Sequence, residues 1–172
     1  GFIGRNILKR FQNNEKYEIR AQYHKRLIPK NHDDVEVVKK NNIHWIRADL
    51  TKAEDVKKVM NGIDIVLQYA ATTTGAADIV SKPYIHVTDN AVMNSLLLRE
   101  AFEQKIKHFI IPSCSIMYQS SDVLVKETDL NESDEINSKY FGAGWMKVYL
   151  EKTCDFYSRF QRTKHTVLRQ TN

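Results

Sequence analysis

The run Ile63-Asp64-Ile65-Val66-Leu67-Gln68-Tyr69-Ala70-Ala71, which follows Gly62, is almost continuously apolar. A strand that reads this way, without alternation, is expected to be covered on both faces, as in a parallel sheet. Upstream, Thr51 with Glu54 three residues on has the pattern of a capping box and predicts a helix that stops at Gly62. Ahead of that helix lie two further strand-like stretches, Tyr17 to Tyr23 and Ile43 to Ala48. Downstream, the spacing predicts a long helix from about Tyr84 to Gln104 and a strand at Phe109 to Ile111. A polar loop from Ser120 to Ser138, a helix carrying Trp145, Met146, Tyr149 and Leu150, and a closing strand from His165 to Arg169 complete the series. Strands that alternate with helices are joined by crossovers into a parallel sheet.

The chain opens on Gly1-Phe2-Ile3-Gly4, and Ile7, Leu8 and Phe11 follow at helical spacing. These glycines have the form of the back half of a glycine-rich turn between a strand and a helix. Such a turn lets a backbone approach a pyrophosphate, whose charge then meets the free amides of the helix N-terminus. The expectation is therefore an α/β fold, a doubly wound parallel sheet of the Rossmann type. Its first strand is expected to be missing, since none precedes Gly1. The other end stops at what reads as a strand end, so a C-terminal substrate region is expected to be missing too. Residues 1–172 are read as one partial domain.

Composition narrows the function classes. Net charge is +5, from 26 Lys and Arg against 21 Asp and Glu, but the charges are intermixed, as in Asp33-Asp34-Val35-Glu36-Val37-Val38-Lys39-Lys40. A nucleic-acid footprint needs them gathered on one face, so no nucleic-acid partner is expected. Two distant cysteines, Cys114 and Cys154, supply neither a disulfide framework nor a zinc site, which makes a reducing, cytoplasmic setting the default. No apolar run approaches a membrane span. His44, His86, His108 and His165 lack metal-ligand spacing, so no metal is expected and they are read as structural or surface residues.

The ordered set of motifs resembles the extended short-chain dehydrogenase/reductases, the NAD(P)-dependent epimerase/dehydratase family that acts on nucleotide sugars. Gly1, Phe2, Ile3 and Gly4 match the end of that family's glycine turn. Asp49-Leu50 matches its adenine-contacting pair, and Tyr69-Ala70-Ala71 its cofactor-lining strand end. Asn90 matches its helix asparagine, Ser113 to Tyr118 its Ser/Thr strand, Lys147 its active-site lysine, and Arg169 to Asn172 its Arg-x-x-Asn strand end. The resemblance implies cofactor contacts from Gly1, Phe2, Ile3, Gly4, Asp49, Leu50, Ala70, Ala71, Asn90 and Lys147, a catalytic role for Lys147, and a substrate diphosphate contact from Asn172. It further implies a nucleotide-sugar substrate, and a possible homodimer through the helices near 84–104 and 139–160.

Cofactor choice is read about twenty residues past the glycines, where an acidic residue bonds the ribose of NAD. Gln22-Tyr23 stands there, followed by His24-Lys25-Arg26, three groups suited to a 2′-phosphate. NADP is the expected cofactor, with NAD the alternative.

The reaction centre departs from the family. Its triad has a Tyr four residues before the Lys, where helix neighbours lie about 5–6 Å apart and the ammonium lowers the phenol's pKa. Here that position is Ala143, and no Tyr of the chain has Lys four residues later. Tyr140 stands seven residues upstream, about 10 Å of helical rise away. It serves only if the region of Gly142 and Gly144 bends it back. The family's serine position falls on Cys114, read as a small buried residue, so Ser113 or Ser115 takes that role. Two functions follow: hydride-transfer chemistry on a nucleotide sugar, or a dinucleotide-binding sensor or subunit that has lost catalysis.

Overall fold

The computed structural model describes residues 1–25, 42–73, 81–131 and 133–171. Arg26 and Asn172, expected at the cofactor and substrate sites, lie outside the described residues. The chain divides into two compact units, Gly1–Asn61 and Gly62–Asn172.

In the first unit, α1 (Phe2–Phe11) starts on Gly1, and no side chain caps its first-turn amides. Two parallel strands follow, β1 (Ile19–Tyr23) and β2 (Ile43–Arg47), registered from Ile19 opposite Ile43 to Tyr23 opposite Arg47. Their buried Ala21 and Ile43 pack with Leu8 of α1, Ile19 and Trp45. The last helix, α2 (Ala53–Met60), buries Val56, Val59 and Met60. Arg20 of β1 donates to the carbonyls of Val59 and Asn61 at 3.0 and 2.7 Å, placing a cation where the helix ends with unpaired carbonyls.

The expected Thr51 cap does not form. The cap of α2 is Lys52, with no side-chain bond, and the Thr51 hydroxyl donates instead to Asp49 Oδ1 at 2.7 Å. The helix starts at Ala53, one residue too late for Thr51 to stand at the cap position, where its oxygen would accept a helix N–H. Asp55 Oδ2 accepts the Asp49 N–H at 2.7 Å, so the turn between β2 and α2 is held by carboxylates at both ends.

The second unit holds β3 (Ile65–Leu67), α3 (Thr88–Glu103), β4 (His108–Cys114), α4 (Phe141–Ser158) and β5 (Lys164–Gln170). Its sheet is parallel in the order β3-β4-β5. The central β4 buries Phe109, Ile111 and Ser113 on one face. Helix α3 buries Asn90, Met93, Asn94, Leu97, Leu98 and Ala101, the i, i+3, i+4, i+7 pattern of a single face. Coverage of β3 on both faces, expected from its apolar run, is not found among the described residues: Ile65 is 49% and Leu67 41% exposed. Within this unit β3 pairs on one edge only among the described residues, and it ends where Gln68 meets Asn94.

Pro112 sits in the middle of β4, a position a central strand rarely tolerates because the ring removes a ladder donor. The pairing with β3 explains it. That ladder ends at Leu67 opposite Ile110, with the Gln68 N–H on the Ile110 carbonyl at 2.9 Å. Two residues on, Pro112 faces the same side, past the end of β3. It therefore has no ladder bond to lose there, and its carbonyl is released for a side chain.

The two glycines of α4 do not bend the chain. The helix runs unbroken from Phe141 to Ser158, and Tyr140 is its N-cap. They allow close approach: a Cβ on Gly142 would lie 2.9 Å from Val87 Cγ2, and one on Gly144 would lie 2.7 Å from Ile136 Cγ2 and 3.2 Å from the Ile116 carbonyl. Gly144→Ala should therefore cost about 1–3 kcal/mol through overpacking. Gly4→Ala, where a Cβ meets nothing within 4 Å, should leave stability equal or raised through helix propensity. Urea denaturation of both variants checks the contrast.

Candidate active site

In the second unit the segment after β3, the start of α3, the end of β4 and one face of α4 enclose a cavity of about 240 Å³. Ala143, Met146, Lys147 and Leu150 line it from α4, as do Ala70 and Ala71 from the strand end. Lys147 Nζ donates to the Pro112 carbonyl at 3.0 Å, the group freed by the end of β3. Burial pushes the Lys147 pKa down, opposed by the nearby Cys114 and Glu151.

One turn beyond Lys147, Glu151 anchors a tight cluster. Arg169 of β5 grips both its carboxylate oxygens, with Nε at 3.2 and 3.1 Å and Nη2 at 2.8 Å. The remaining arm, Nη1, donates to the Tyr118 hydroxyl at 2.8 Å and to the Glu127 carbonyl at 2.6 Å. Tyr118 itself donates to the Glu127 carbonyl at 3.0 Å. The planar guanidinium thus ties β5, α4 and the loop that leaves β4. The bond to Glu151 holds the Arg169 pKa above its ordinary value.

A chain of amides forms another wall. Asn90 Oδ1 accepts the Thr72 N–H, while its Nδ2 donates to the carbonyls of Thr72 and His86, at 2.9, 2.9 and 3.0 Å. Asn94 donates to the Asn90 carbonyl at 2.8 Å and accepts from Gln68 Nε2 at 2.9 Å. Asn90 therefore has its amide committed to the wall, which fixes the segment after β3 on α3. Sequence reasoning missed Gln68 and Asn94, although a lone amide inside an apolar strand run and an Asn one helical turn from Asn90 were both visible. It also placed His86 among structural or surface residues. His86 is only 5% exposed, lines the cavity, and has a buried Nε2 without a hydrogen-bond partner among the described residues.

The hydroxyl candidates lie elsewhere. Ser113 is buried, with its Oγ 3.9 Å from Met117 Sδ, and neither it nor Ser115 or Tyr140 is among the cavity-lining residues. Tyr140 closes a short 3-10 turn (Ser138–Tyr140) ahead of α4. Cys114 is half-buried, not buried as expected, because β4 alternates and its side falls on the other face from Ser113. It is Cys154 that is fully buried, and burial pushes its thiol up to about 12.

The first unit carries the other expected residues. A Cβ on Gly4, in the first turn of α1, would meet nothing within 4 Å, and no side chain caps the amides of that turn. That is an arrangement a pyrophosphate fits. Asp49 Oδ1 is taken by Thr51, whose bonds hold the Asp49 carboxyl below its usual pKa. Its Oδ2 lies 3.8 Å from His24 Nε2. Leu50 is buried beside it, and Lys25 is exposed just past β1. Among the described residues no group of His, Cys, Asp and Glu could hold a metal, and no helix is long and apolar enough to cross a membrane.

Two outcomes follow from these geometries. With its folded pKa below 10.5, Lys147 releases its proton first in the folded state as pH rises. The unfolded chain then binds more protons, so this group's contribution to stability increases with pH in the window below 10.5. Urea unfolding at several alkaline pH values should show that rise in the parent relative to a flatter Lys147→Met. Separately, Arg169→Met leaves Glu151 without its partner and should cost about 3 kcal/mol. Adding Glu151→Gln should restore part of the loss, which a double-mutant cycle by thermal unfolding measures.

Comparison with known proteins agrees with this architecture. The model of the NAD dependent epimerase/dehydratase family matches residues 1–172. GDP-mannose 3,5-epimerase 1 of Oryza sativa subsp. japonica is 27% identical over 160 residues, 92% of this chain and 40% of that protein. The chain thus spans under half the length of that curated relative. Among solved structures, the UDP-Glc/GlcNAc 4-epimerase of Campylobacter jejuni superposes with a TM-score of 0.80 at 19% identity, covering 98% of this chain and 50% of that one. The UDP-glucuronic acid 4-epimerase of Bacillus cereus, in complex with UDP-glucuronic acid and NAD, gives 0.78 at 24% identity, with 98% and 53% covered. Both likenesses show the parallel α/β fold. With the family model matched across its whole length, the chain belongs to the NAD dependent epimerase/dehydratase family.

Proposed function

We propose that the protein binds NAD(P) and transforms a nucleotide sugar. The observation that carries this reading is Lys147, a buried ammonium set in the wall of a cavity by a backbone carbonyl. At about 240 Å³ the cavity is smaller than the roughly 300–1,000 Å³ of a whole ligand site, so it suits one end of a long ligand. A nicotinamide held there would supply reversible hydride acceptance. Lys147 keeps two N–H donors beyond the Pro112 bond, enough to hold ribose hydroxyls. The backbone of Ala70 and Ala71, kept in place by Asn90, would pack against the ring. In the first unit, Gly1, Phe2, Ile3 and Gly4 would receive pyrophosphate oxygens, and Asp49 and Leu50 would receive adenine. Asn172 would reach the substrate diphosphate.

NADP is proposed over NAD on the strength of His24, Lys25 and Arg26. A homodimer through α3 and α4 is proposed on the exposed Val92, Tyr149 and Phe156 of those helices. For proton movement, Ser113, Ser115 and Tyr140 need a displacement before they meet the cavity, which makes them weaker candidates than Lys147. A second reading, a sensor without catalysis, draws support from Ala143, which lines the cavity with a methyl where relatives carry a phenol.

Fluorescence titration tests the binding reading. NADPH should bind at least about tenfold more tightly than NADH, the worth of one charge-assisted contact. Lys25→Ala should erase that preference, and Lys147→Met should weaken both. Absence of any dinucleotide binding would overturn the proposal.

A further inference from the structure

We propose that Gln68 is a positioning residue for the nicotinamide end of the dinucleotide: its side-chain amide stands in for the strand partner that Ala70 lacks, and keeps the Ala71 N–H and carbonyl open to the ligand. The inference rests on the dinucleotide-binding reading above and deepens it by naming a side chain that none of the cofactor motifs contains.

Strand β3 ends at Leu67, and the Gln68 N–H makes the last bond to β4, on the Ile110 carbonyl at 2.9 Å. From there to Thr73 the chain has no turn or bend, and no backbone hydrogen bond among the described residues. Side-chain amides replace the missing neighbour. Gln68 Oε1 accepts the Ala70 N–H at 3.3 Å, and its Nε2 donates to the Ala70 carbonyl at 3.2 Å. Two residues on, Asn90 repeats the arrangement on Thr72, with both bonds at 2.9 Å. The two amides are themselves joined. Gln68 Nε2 donates to Asn94 Oδ1 at 2.9 Å, and Asn94 Nδ2 donates to the Asn90 carbonyl at 2.8 Å. Gln68 is only 5% exposed, so water does not compete for its bonds, and releasing Ala70 would leave a buried amide unpaired.

In an extended chain, the N–H and C=O pairs of successive residues point to alternate edges. Ala70 and Thr72 turn theirs to the amides, so Ala71 turns its pair the other way. Ala71 is exposed and lines the cavity, and neither its N–H nor its carbonyl has a partner among the described residues. The chemistry that suits such a pair appears twice in the same segment, where a carboxamide brackets the N–H and C=O of one residue. The ligand group for Ala71 is therefore one that sets a donor beside an acceptor. At the nicotinamide end of a dinucleotide, the carboxamide and the ribose diol both have that character.

The test uses the purified protein with its Gln68→Met and Gln68→Glu variants. Calorimetry follows NADP⁺ and adenosine 2′,5′-bisphosphate, which lacks the nicotinamide end. Gln68→Met keeps the shape and removes the bonds to Ala70. It should weaken NADP⁺ by about three- to tenfold and leave the bisphosphate unchanged. Gln68→Glu supplies the rescue. Its protonated carboxyl offers a donor and an acceptor as the amide does, and its ionised form offers acceptors only. Relative to the parent, its NADP⁺ affinity should be near normal at acid pH and fall as pH rises. By NMR, the parent's Ala71 amide should move with NADP⁺ and not with the bisphosphate. The acetylpyridine analogue of NADP⁺ has no carboxamide N–H; weaker binding marks the carboxamide as the occupant, and equal binding the ribose diol. An equal loss for both probes in Gln68→Met overturns the proposal, as does a lowered melting temperature with NADP⁺ affinity unchanged. An Ala71 amide that stays still while NADP⁺ binds overturns it too. Should Gln68→Met not fold, a pH-independent affinity ratio in Gln68→Glu has the same force. If NADP⁺ does not bind the parent, the dinucleotide reading itself falls, and the inference with it.

Discussion

An ammonium inside a protein is the demand around which the second unit is arranged. Removing a lysine head from water costs several kcal/mol unless polar groups replace the water. Lys147 meets that demand with the Pro112 carbonyl directly and with Glu151 one helical turn away. Each solution creates a further requirement. A free carbonyl at Pro112 needs β3 to be short, and a carboxylate beside the lysine needs its own counterion. Arg169 meets the second requirement, and in doing so it reaches Tyr118 and Glu127 and fixes the loop that leaves β4. The length of β3, the proline in β4 and the arginine in β5 are thus parts of one electrostatic arrangement.

Rigidity is distributed unevenly as a result. The α4 face of the cavity is held by charge and by close packing at Gly142 and Gly144, where an added Cβ would come within 2.7–2.9 Å of Val87 and Ile136. The opposite wall is held by neutral amides that bond backbone on two sides. Such amide pairs fix position without adding net charge, so the field inside the cavity is set by Lys147, Glu151 and Arg169.

Much of this was legible in the sequence. Alternating strands and helices, and a helix over Lys147, are patterns of period and spacing, which a linear reading captures. The errors came elsewhere. Thr51 looked like a helix cap because the pattern does not fix the first helical residue, and α2 starts one residue later with Lys52 at the cap. Tyr140 looked reachable because glycines at 142 and 144 suggest a bend, whereas their packing partners, Val87 and Ile136, are far off in sequence. The apolar run at 63–71 forms the expected parallel strand, and what covers Ile65 and Leu67 is not found among the described residues.

The parallel sheet of the second unit carries a consequence for how the chain reaches its native state. Ile65 pairs with His108, and His108 with Lys164, so each ladder closes only after an entire helix has been threaded between its strands. None of these contacts is local, and high contact order slows folding. Until β4 arrives, the apolar strand around Ile65 and Leu67 has both edges open, a template for pairing with other chains. Pro112 limits that hazard on β4. Lacking an N–H, it offers no donor past Ile110 on the edge that pairs with β3, so a foreign strand gains none there. The same ring that frees a carbonyl for the lysine therefore also acts as a gatekeeper against misassembly.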